Sequence, residues 1–368
     1  MNAFLLAVTL LASAIVPLDR PLWNVPIDSR TTGQWIAEAP GTIFTSRQGH
    51  LVAIDSSNGA SRWNSTLPIN GAPAVAPGVL AVSTDQGLAF IDPSTGHLRV
   101  LLRTARAEAV AGSRSSIVVL SDSGRRLCGY SAQGRAIWCR SQAEQMNGAS
   151  VLSLGGNLVA VTSWKGWVFY DAASGKAVAA AADADELVGS DGRYVWFTVR
   201  EGGLKGVDLN TNRSVAMHNQ IENKQVIAEH NRAVAVVGGR LKLIDLETQS
   251  ISPLPIDGRW IGGPVNGKIF IERGDGLYLQ PIDPVRRAAP IVSYKSESRY
   301  VTSDRAVGYV GLLDGTVLVV DLKHNRLLRR IATGCSFYEG VAATGATTVI
   351  HCDAGTQSRL IAFARPFE

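Results

Sequence analysis

A short hydrophobic run followed by a turn recurs nine times along the chain. The last residues of these runs stand at positions 55, 92, 131, 171, 208, 245, 283, 321 and 364, at intervals of 37 to 43 residues. Asp occupies this position in every repeat except two, where Ser131 and Ala364 replace it. Self-similarity at a fixed period of this length indicates an array of similar structural units, each packed against its neighbours.

Each repeat carries several strand signals separated by turn signals. A second apolar run precedes the first, as Ile117–Leu120 does in the third repeat. A glycine-containing turn such as Asp122–Gly124 joins the two runs, and a second turn such as Asp55–Gly59 leads to a further strand. Asp accepts backbone N–H bonds at such corners, and Gly adopts the positive φ that they need. We therefore interpret the repeated aspartates as structural residues.

The strand pattern predicts the fold class. Short strands, tight turns and the lack of an amphipathic helical segment are typical of an all-β protein, and four strands in about 38 residues fit one blade of a β-propeller. The runs are apolar at successive positions, as expected for sheets that pack between two neighbours. The sequence predicts a single closed β-propeller of four-stranded blades, with nine repeats counted. Eight blades are the alternative, if the first or the last repeat is degenerate.

The two ends of the chain are complementary. The ninth run ends at Ala364, four residues before the C-terminus, so its blade lacks an outer strand. The segment Pro21–Ile27 precedes the first repeat and resembles its outer strand, because Trp23-Asn24 matches Trp63-Asn64. We expect this N-terminal segment to pair with a strand near 357–363, which completes the last blade and removes an open sheet edge.

The second turn of the repeat indicates its type. The pattern D-x-x-[ST/N]-G-x-x-x-W is clearest at Asp55–Trp63 and is recognisable at Ser131–Trp138, whereas the repeats after Asp171 have lost the Gly and the Trp. This pattern resembles the repeat of the pyrroloquinoline-quinone-type, or quinoprotein-like, β-propeller superfamily. The resemblance covers nearly the whole chain and implies the fold, while function differs within the superfamily.

That superfamily contains quinone-dependent dehydrogenases and also cofactor-free propellers, such as the lipoprotein that helps to insert outer-membrane β-barrels. The chain lacks the adjacent cysteine pair and the long insertions of the dehydrogenases. The resemblance therefore implies the cofactor-free branch, and we expect no bound cofactor or catalytic metal. The chain also lacks the lipobox cysteine of the lipoprotein, so no lipid anchor is expected.

The four cysteines form two pairs, each centred on a turn. Cys128 and Cys139 have their midpoint in the turn Gln133-Gly134, so a regular hairpin places them directly opposite each other. Cys335 and Cys352 have theirs in the turn that joins the first two strands of the last repeat. Opposed residues in a non-hydrogen-bonded pair have Cα atoms about 4.5 Å apart, which a disulfide can bridge. We predict both disulfides, against the alternative of four reduced, buried cysteines.

The N-terminus has features of a secretory signal. Phe4–Leu11 forms an apolar core and Ala12-Ser13-Ala14 matches a cleavage site, although no Lys or Arg precedes the core. The apolar stretch Ala3–Val16 is too short to span a membrane as a helix. Disulfides form in oxidising compartments. Together these features predict an exported chain, periplasmic or secreted, with a signal peptide over residues 1–14 and the propeller over residues 15–368.

Composition and motifs argue against several classes of function. Apolar residues make up 46% of the chain and charged residues 18%, which excludes a disordered polyelectrolyte. The net charge of +5 is spread along the chain without a basic run interleaved with aromatic residues, so we expect no nucleic-acid partner. The six His are scattered, and neither an HExxH nor a G-x-S-x-G motif is present. The enzymatic question stays open, and the missing motifs favour a non-enzymatic protein.

Strand direction selects one rim of the ring as the predicted binding face. Because strands alternate in direction, the turn between the second and third strands of a blade shares a rim with the connection to the next blade. Loops on a rigid scaffold often carry the binding function, and an exposed Trp is a typical anchor. The candidate residues in these turns are Arg47, Trp164, Lys165, Arg200, Glu201, Arg273 and Asp314, beside the polar connections Ser141–Gly148 and Asn219–Lys224. Packing of Trp164 onto a neighbouring blade is the alternative.

These observations predict an exported, non-enzymatic propeller that binds a protein or another envelope component as a monomeric scaffold. Two alternatives remain. An enzyme with an atypical site in the central channel would show a pocket of convergent ionisable groups at the centre of the ring. An intracellular interaction scaffold would have reduced cysteines and an uncleaved N-terminus.

Overall fold

The computed structural model consists of β-strands, with no helix among the residues that it describes. Those residues are 18–27, 37–103, 107–141, 150–163, 166–191, 193–200, 202–211, 213–217, 221, 226–254, 258–265, 267–282, 288–304, 306–344, 346–354 and 357–365. The predicted signal peptide lies outside them. The part of the chain that the structure describes contains no helix long and apolar enough to cross a membrane.

The strands form nine sheets, which are the blades of one β-propeller. Blades 1 to 3 contain β3 (Ala37–Ala39), β4 (Thr42–Arg47), β5 (His50–Asp55), β6 (Ser61–Pro68), β7 (Ala74–Ala76), β8 (Val79–Thr84), β9 (Gly87–Ile91), β10 (Leu98–Leu102), β11 (Ala107–Gly112), β12 (Ile117–Ser121), β13 (Arg126–Tyr130) and β14 (Ala136–Ser141). Blades 4 to 6 contain β15 (Val151–Ser153), β16 (Leu158–Ser163), β17 (Gly166–Asp171), β18 (Ala177–Ala181), β19 (Ala184–Ser190), β20 (Tyr194–Val199), β21 (Leu204–Asp208), β22 (Arg213–Met217), β23 (Val226–Glu229), β24 (Arg232–Val237), β25 (Arg240–Asp245) and β26 (Ser250–Pro253). Blades 7 to 9 contain β27 (Arg259–Val265), β28 (Lys268–Arg273), β29 (Gly276–Pro281), β30 (Ala289–Val292), β31 (Ser298–Asp304), β32 (Val307–Leu312), β33 (Thr316–Asp321), β34 (Arg326–Ala332), β35 (Phe337–Thr344), β36 (Thr347–Ala354) and β37 (Gln357–Ala364), and two N-terminal strands, β1 (Leu18–Asp19) and β2 (Trp23–Ile27), join this group. The prediction of nine blades rather than eight is confirmed.

Within each blade, consecutive strands A to D pair antiparallel from the central channel to the outer wall. Neighbouring A strands contact one another around most of the ring, β17 contacts β19 between blades 4 and 5, and β35 contacts β3, which closes the ring. The B and C strands are the most buried, because apolar side chains on both faces pack against two neighbouring blades, as in β8 and β12. The B–C turns and the inter-blade connections lie on one rim, here called the connection rim. The A–B and C–D turns lie on the other, here called the turn rim.

The N-terminal strand β2 completes blade 9, as the sequence predicts. It pairs antiparallel with β37, from Trp23 opposite Ala362 to Ile27 opposite Ser358. Trp23 and Ile27 are buried between blades 9 and 1. The outer edge of β37 is therefore paired rather than open.

Tryptophans of three D strands form hydrogen bonds to the next blade. The Nε1–H group of Trp23 donates to the carbonyl of Ser56 at 2.9 Å, and that of Trp63 donates to the carbonyl of Pro93 at 3.1 Å. Trp138 donates in the same way to Ala172 at 2.9 Å. Each acceptor lies in the C–D turn of the following blade, so the Trp of the repeat motif is an inter-blade contact.

Blade 8 differs from the predicted four-stranded blade. The two-residue strand β1 pairs parallel with β34, with Leu18 opposite Arg330 and Asp19 opposite Ile331, and adds a fifth strand. The chain passes this outer edge on its way to β2, and a free sheet edge accepts any extended backbone that reaches it. The two-residue strand leaves no periodic signal in the sequence.

Both predicted disulfides are present. Cys128 and Cys139 face each other in the register of β13 and β14, with Cα atoms 4.2 Å apart. Cys335 and Cys352 are also bridged, at a Cα distance of 5.9 Å, but they are not opposed as the midpoint argument requires. Tyr338 stands opposite Cys352 in the register, and Cys335 precedes β35. The two strands pair as far as Thr344 opposite Thr347, so their turn is centred two residues after the midpoint of the cysteines, and no sequence signal marks this offset.

The repeated aspartates that the structure describes form the C–D corners, as predicted, and Asp283 lies outside the described residues. The carboxylate of Asp55 accepts the backbone N–H of Ser57 at 2.8 Å and binds Arg62 through its second oxygen. Asp92 repeats this arrangement with Ser94 and Arg99. Hydrogen bonds from the serine and the arginine lower the pKa of Asp55 to about 2. Both oxygens of these carboxylates are hydrogen-bonded at the turn, so the role of the carboxylates is to stabilise it.

Candidate functional site

A groove of about 660 Å³ opens on the connection rim between blades 7 and 8. Strand A begins at this rim and strands B and D end there, so three distant segments converge. They are the start of β27, the turn between β28 and β29, and the connection from β30 to β31. The lining residues are Gly258, Arg259, Glu272, Arg273, Gly274, Tyr294, Lys295, Ser296 and Glu297.

The floor of the groove is a hydrogen-bonded cluster around the Glu272 carboxylate. Arg259 donates to one oxygen through Nε at 2.9 Å and also through Nη2. The Tyr294 hydroxyl donates to the other oxygen at 2.8 Å, and the backbone N–H of Ser298 donates to the same oxygen at 3.1 Å. The Glu272 side chain is 11% exposed and that of Arg259 is 50% exposed. The carboxylate is therefore held in one orientation, while the guanidinium faces the groove.

The protonation states of this cluster are fixed by its contacts. Burial alone would raise the pKa of Glu272, but hydrogen bonds from Arg259, Tyr294 and Ser298 hold it below its ordinary value. Burial and the hydrogen bond to Glu272 raise the pKa of Tyr294 well above its ordinary range. Glu272 is thus ionised and Tyr294 is protonated at neutral pH. Neither group has a pKa near the value that general acid–base catalysis at pH 7 needs.

Arg259 also joins the floor to the next blade. Its Nη1 donates to Glu297 at 3.2 Å. The backbone of that connection is supported by the B–C turn of blade 8, because the N–H of Leu313 donates to the Glu297 carbonyl at 2.8 Å. The N–H of Asp314 donates to Ser296 Oγ at 3.1 Å. The groove is therefore a junction between two blades with a rigid, hydrogen-bonded wall.

Cationic and apolar groups stand at the mouth of the groove. The Arg273 guanidinium lies over the Tyr278 ring, 4.3 Å from its centroid, and the Tyr278 hydroxyl donates to Asp275 at 2.6 Å. Lys295, in the connection from β30 to β31, is also exposed. Leu313, in the adjacent turn, is 47% exposed and adds an apolar side chain to this surface.

The lining indicates what class of ligand the groove suits. Small-molecule sites are lined mostly by apolar and aromatic side chains with a few polar groups. Here charged and polar side chains predominate, around one tyrosine. Polar rims beside an apolar anchor are typical of protein–protein contacts. Among the described residues, no cluster of three His, Cys, Asp or Glu side chains is arranged to hold a metal ion.

The structure describes four of the seven candidate rim residues, and each of them lies in a B–C turn or ends the B strand before it. Arg273 and Asp314 border the groove from adjacent blades. Arg47 ends β4 in blade 1, and Arg200 follows β20 in blade 5, so neither belongs to the groove. The remaining candidates lie outside the described residues: Trp164, Lys165, Glu201, the connection 142–148 and the connection 219–224 except Ile221.

Sequence reasoning missed the residues that form the floor. Arg259, Glu272 and Tyr294 are separated along the chain and share no motif. The signal that could have found them is positional, because the first residue of an A strand and the last residues of a B strand meet on the connection rim. Charged residues at these positions of one repeat are therefore candidates for a shared site.

Comparisons with known proteins agree on the fold. A family model described as outer membrane protein assembly factor BamB matches residues 12–233, more than half of the chain, and confirms the predicted resemblance to the quinoprotein-like repeat. The crystal structure of BamB from Moraxella catarrhalis is similar with 16% identity and a TM-score of 0.55, covering 93% of this chain and 97% of that one. The computationally designed Ika8 protein is similar with 14% identity and a TM-score of 0.57, covering 94% and 100%. No curated protein matches the chain significantly.

Proposed function

Because this chain belongs to the family of the outer membrane protein assembly factor BamB, we propose that it is an exported, non-enzymatic scaffold for a protein of the cell envelope. The partner binds at the groove between blades 7 and 8. By the name of the family, that partner takes part in the assembly of outer membrane proteins. The observation that carries this proposal is the fixed cluster of Arg259, Glu272 and Tyr294, with Lys295 and Leu313 exposed beside it.

The chemistry of the groove favours recognition of a protein segment. A preorganised polar floor loses little freedom on binding, so contacts made to it contribute more of their energy to affinity. Cations at the mouth suit a segment that carries a carboxylate, and the exposed leucine suits an apolar side chain next to it. Two disulfides support an extracytoplasmic location. An exported protein that begins after residue 14 in its mass spectrum would support the predicted signal peptide.

Site-specific photo-crosslinking tests the proposal. A photoreactive amino acid at position 295 or 313 should capture one defined protein from the envelope fraction. The same group at Lys176, an exposed residue in a C–D turn on the turn rim, should not capture it. Capture of the same proteins from both rims, or from neither, would contradict the assignment of the groove.

Charge reversal supplies the matched variant. Lys295→Glu should weaken capture about tenfold or more, as expected for the loss of one interfacial cation and its replacement by a like charge. Lys176→Glu should leave capture unchanged, and neither variant should lower the melting temperature.

The rim candidate Trp164 is tested separately with Trp164→Ala, which should reduce capture without unfolding the chain. An absorbance spectrum and a metal analysis of the purified protein test the predicted lack of cofactor.

A further inference from the structure

The two disulfides differ in their access to solvent. Cys335 is 2% exposed and Cys352 is fully buried, within the core between blades 8 and 9. In the other pair Cys128 is 1% exposed, but Cys139 is exposed on the outer strand of blade 3. Attack on a disulfide requires direct access of a thiolate to one of the sulfur atoms. On this ground Cys335–Cys352 is closed to reductants, whereas Cys128–Cys139 contains an exposed cysteine at the surface.

A cation stands beside the accessible sulfur. Arg126, at the start of β13, places Nη2 3.7 Å from Cys139 Sγ. The two bridged residues are directly opposed in the hairpin. A neighbouring guanidinium stabilises a thiolate and lowers the pKa of the thiol, which favours a thiolate as leaving group in exchange.

We propose that the Cys128–Cys139 disulfide is a site of thiol–disulfide exchange, attacked at Cys139 Sγ by the thiolate of a dithiol reductant or of a thiol–disulfide oxidoreductase. Cys335–Cys352 does not exchange under the same conditions. This inference is independent of the partner groove and of the proposed scaffold function.

The exchange is balanced by the two thiols of the reductant. The first thiolate forms a bond to Cys139 Sγ while the bond to Cys128 breaks, and Cys128 leaves with the electron pair and takes a proton from water. The second thiolate of the reductant then attacks the first sulfur of the same reductant, which is bonded to Cys139 in the mixed disulfide. Cys139 is released as a thiolate beside Arg126. The protein gains two electrons, and the reductant becomes a disulfide.

Exchange at this position acts on an element that joins two blades. β14 carries Trp138, which donates to Ala172 in blade 4, and its last residue, Ser141, reaches the connection rim. The bridge therefore restrains the one edge strand that connects blade 3 to its neighbour through an indole. After reduction that strand is held by its pairing with β13 and by its hydrogen bonds to blade 4.

Graded reduction followed by alkylation and peptide mass spectrometry tests the proposal. The folded, oxidised protein is treated with dithiothreitol for increasing times at neutral pH and then quenched with iodoacetamide. Cys128 and Cys139 should become alkylated about tenfold faster, or more, than Cys335 and Cys352. Equal rates for the two pairs, or faster reduction of the buried pair, would overturn the proposal.

The role of Arg126 is tested separately. Arg126→Gln should slow reduction of the exposed bridge about threefold and move the pH profile of Cys139 alkylation to higher pH. Arg135→Gln, at the far end of the same hairpin, is the control and should leave both quantities unchanged. A merely structural role of Arg126 would change the melting temperature and leave the pH profile where it is. That outcome would remove Arg126 from the exchange site.

Discussion

Asp208 occupies the C–D corner of blade 5 and accepts hydrogen bonds from three directions. Arg193 donates to both of its oxygens, at 3.2 and 2.7 Å, and the backbone N–H of Asn210 donates at 2.9 Å. The hydrogen bonds from Arg193 dominate, and they hold the pKa of Asp208 far below its ordinary value of 3.8. The residue is buried and invariably ionised at neutral pH, so its contribution is to stability.

The fall in unfolding free energy at low pH should depend on the pair of Arg193 and Asp208. A carboxyl group with a lowered folded-state pKa stabilises the fold above its unfolded-state pKa, and the contribution is lost as pH falls through the folded value. Arg193→Gln should therefore flatten the fall in unfolding free energy between about pH 4 and pH 2. Urea denaturation across this range measures it. Arg135→Gln is the matched control, because Ser131 replaces the corner aspartate in its blade; an equal effect there would contradict the argument.

The floor of the groove should be sensitive to loss of its cation. Arg259→Ala leaves the carboxylate of Glu272 with only Tyr294 and the Ser298 N–H as donors. We expect a loss of about 2 kcal/mol in unfolding free energy, the range for a hydrogen bond to a charged group that is partly exposed. Chemical denaturation measures this loss. Arg240→Ala, at an exposed position that begins β25 of blade 6, should cost much less.

At the scale of strands and turns, the contact between a D-strand Trp and the next C–D turn depends on glycine. Gly59 has a φ of +73°, and a Cβ added there would lie 2.8 Å from the Trp23 ring. Gly49 has a φ of +76° with no atom within 4 Å of such a Cβ. Both positions have a left-handed backbone, but only Gly59 faces the Trp23 indole. A comparison of the two therefore separates the cost of the backbone strain from the cost of displacing the ring.

Substitution at these two glycines tests the inter-blade contact. Gly49→Ala should cost about 1–2 kcal/mol for the left-handed backbone. Gly59→Ala should cost about 1–3 kcal/mol more, because the methyl group displaces the Trp23 ring. In a double-mutant cycle with Trp23→Ala, the extra cost at Gly59 should disappear. Equal losses of unfolding free energy at the two glycines would mean that the packing of the Trp23 indole does not require a glycine at position 59.

The strands and their order could be predicted from sequence because the pattern is local and repeated. The apolar runs, the Asp corners and the Trp of the outer strand each recur at one period, and β2 is recognisable because Trp23 repeats the context of Trp63. The position of Cys335 relative to Cys352 could not be predicted, since the turn of this hairpin lies two residues after the midpoint of the cysteines and spacing alone does not fix a turn. Arg259 and Glu272 are cross-strand partners in blade 7, but the groove could not be predicted as a unit, because Tyr294 comes from the connection to blade 8 and only the folded chain brings it to them.

At the scale of the whole molecule, the ring is closed by non-covalent pairing of its two ends. β2 contributes five register pairs to β37 and buries Trp23 and Ile27 at the junction of blades 9 and 1. Burial of two such side chains contributes about 3–6 kcal/mol, a large part of the net stability of a typical domain. β1, in contrast, contributes only two register pairs on the outer edge of blade 8.

This contrast gives a test of closure by truncation and permutation. A chain that begins at residue 20 lacks only β1 and should melt within a few degrees of the longer chain. A chain that begins at residue 28 also lacks β2, exposes the edge of β37, and should lose cooperative melting or aggregate. Appending residues 21–27 after residue 368 through a short linker should restore cooperative melting, because β37 ends close to where β2 begins and the two then form an ordinary C–D hairpin.

Circular dichroism melting with light scattering follows all three chains. If the chain from residue 28 melts like the longer one, the pairing of β2 with β37 does not hold the ring closed. If the appended strand fails to restore melting, the N-terminal position of β2 matters for more than its pairing.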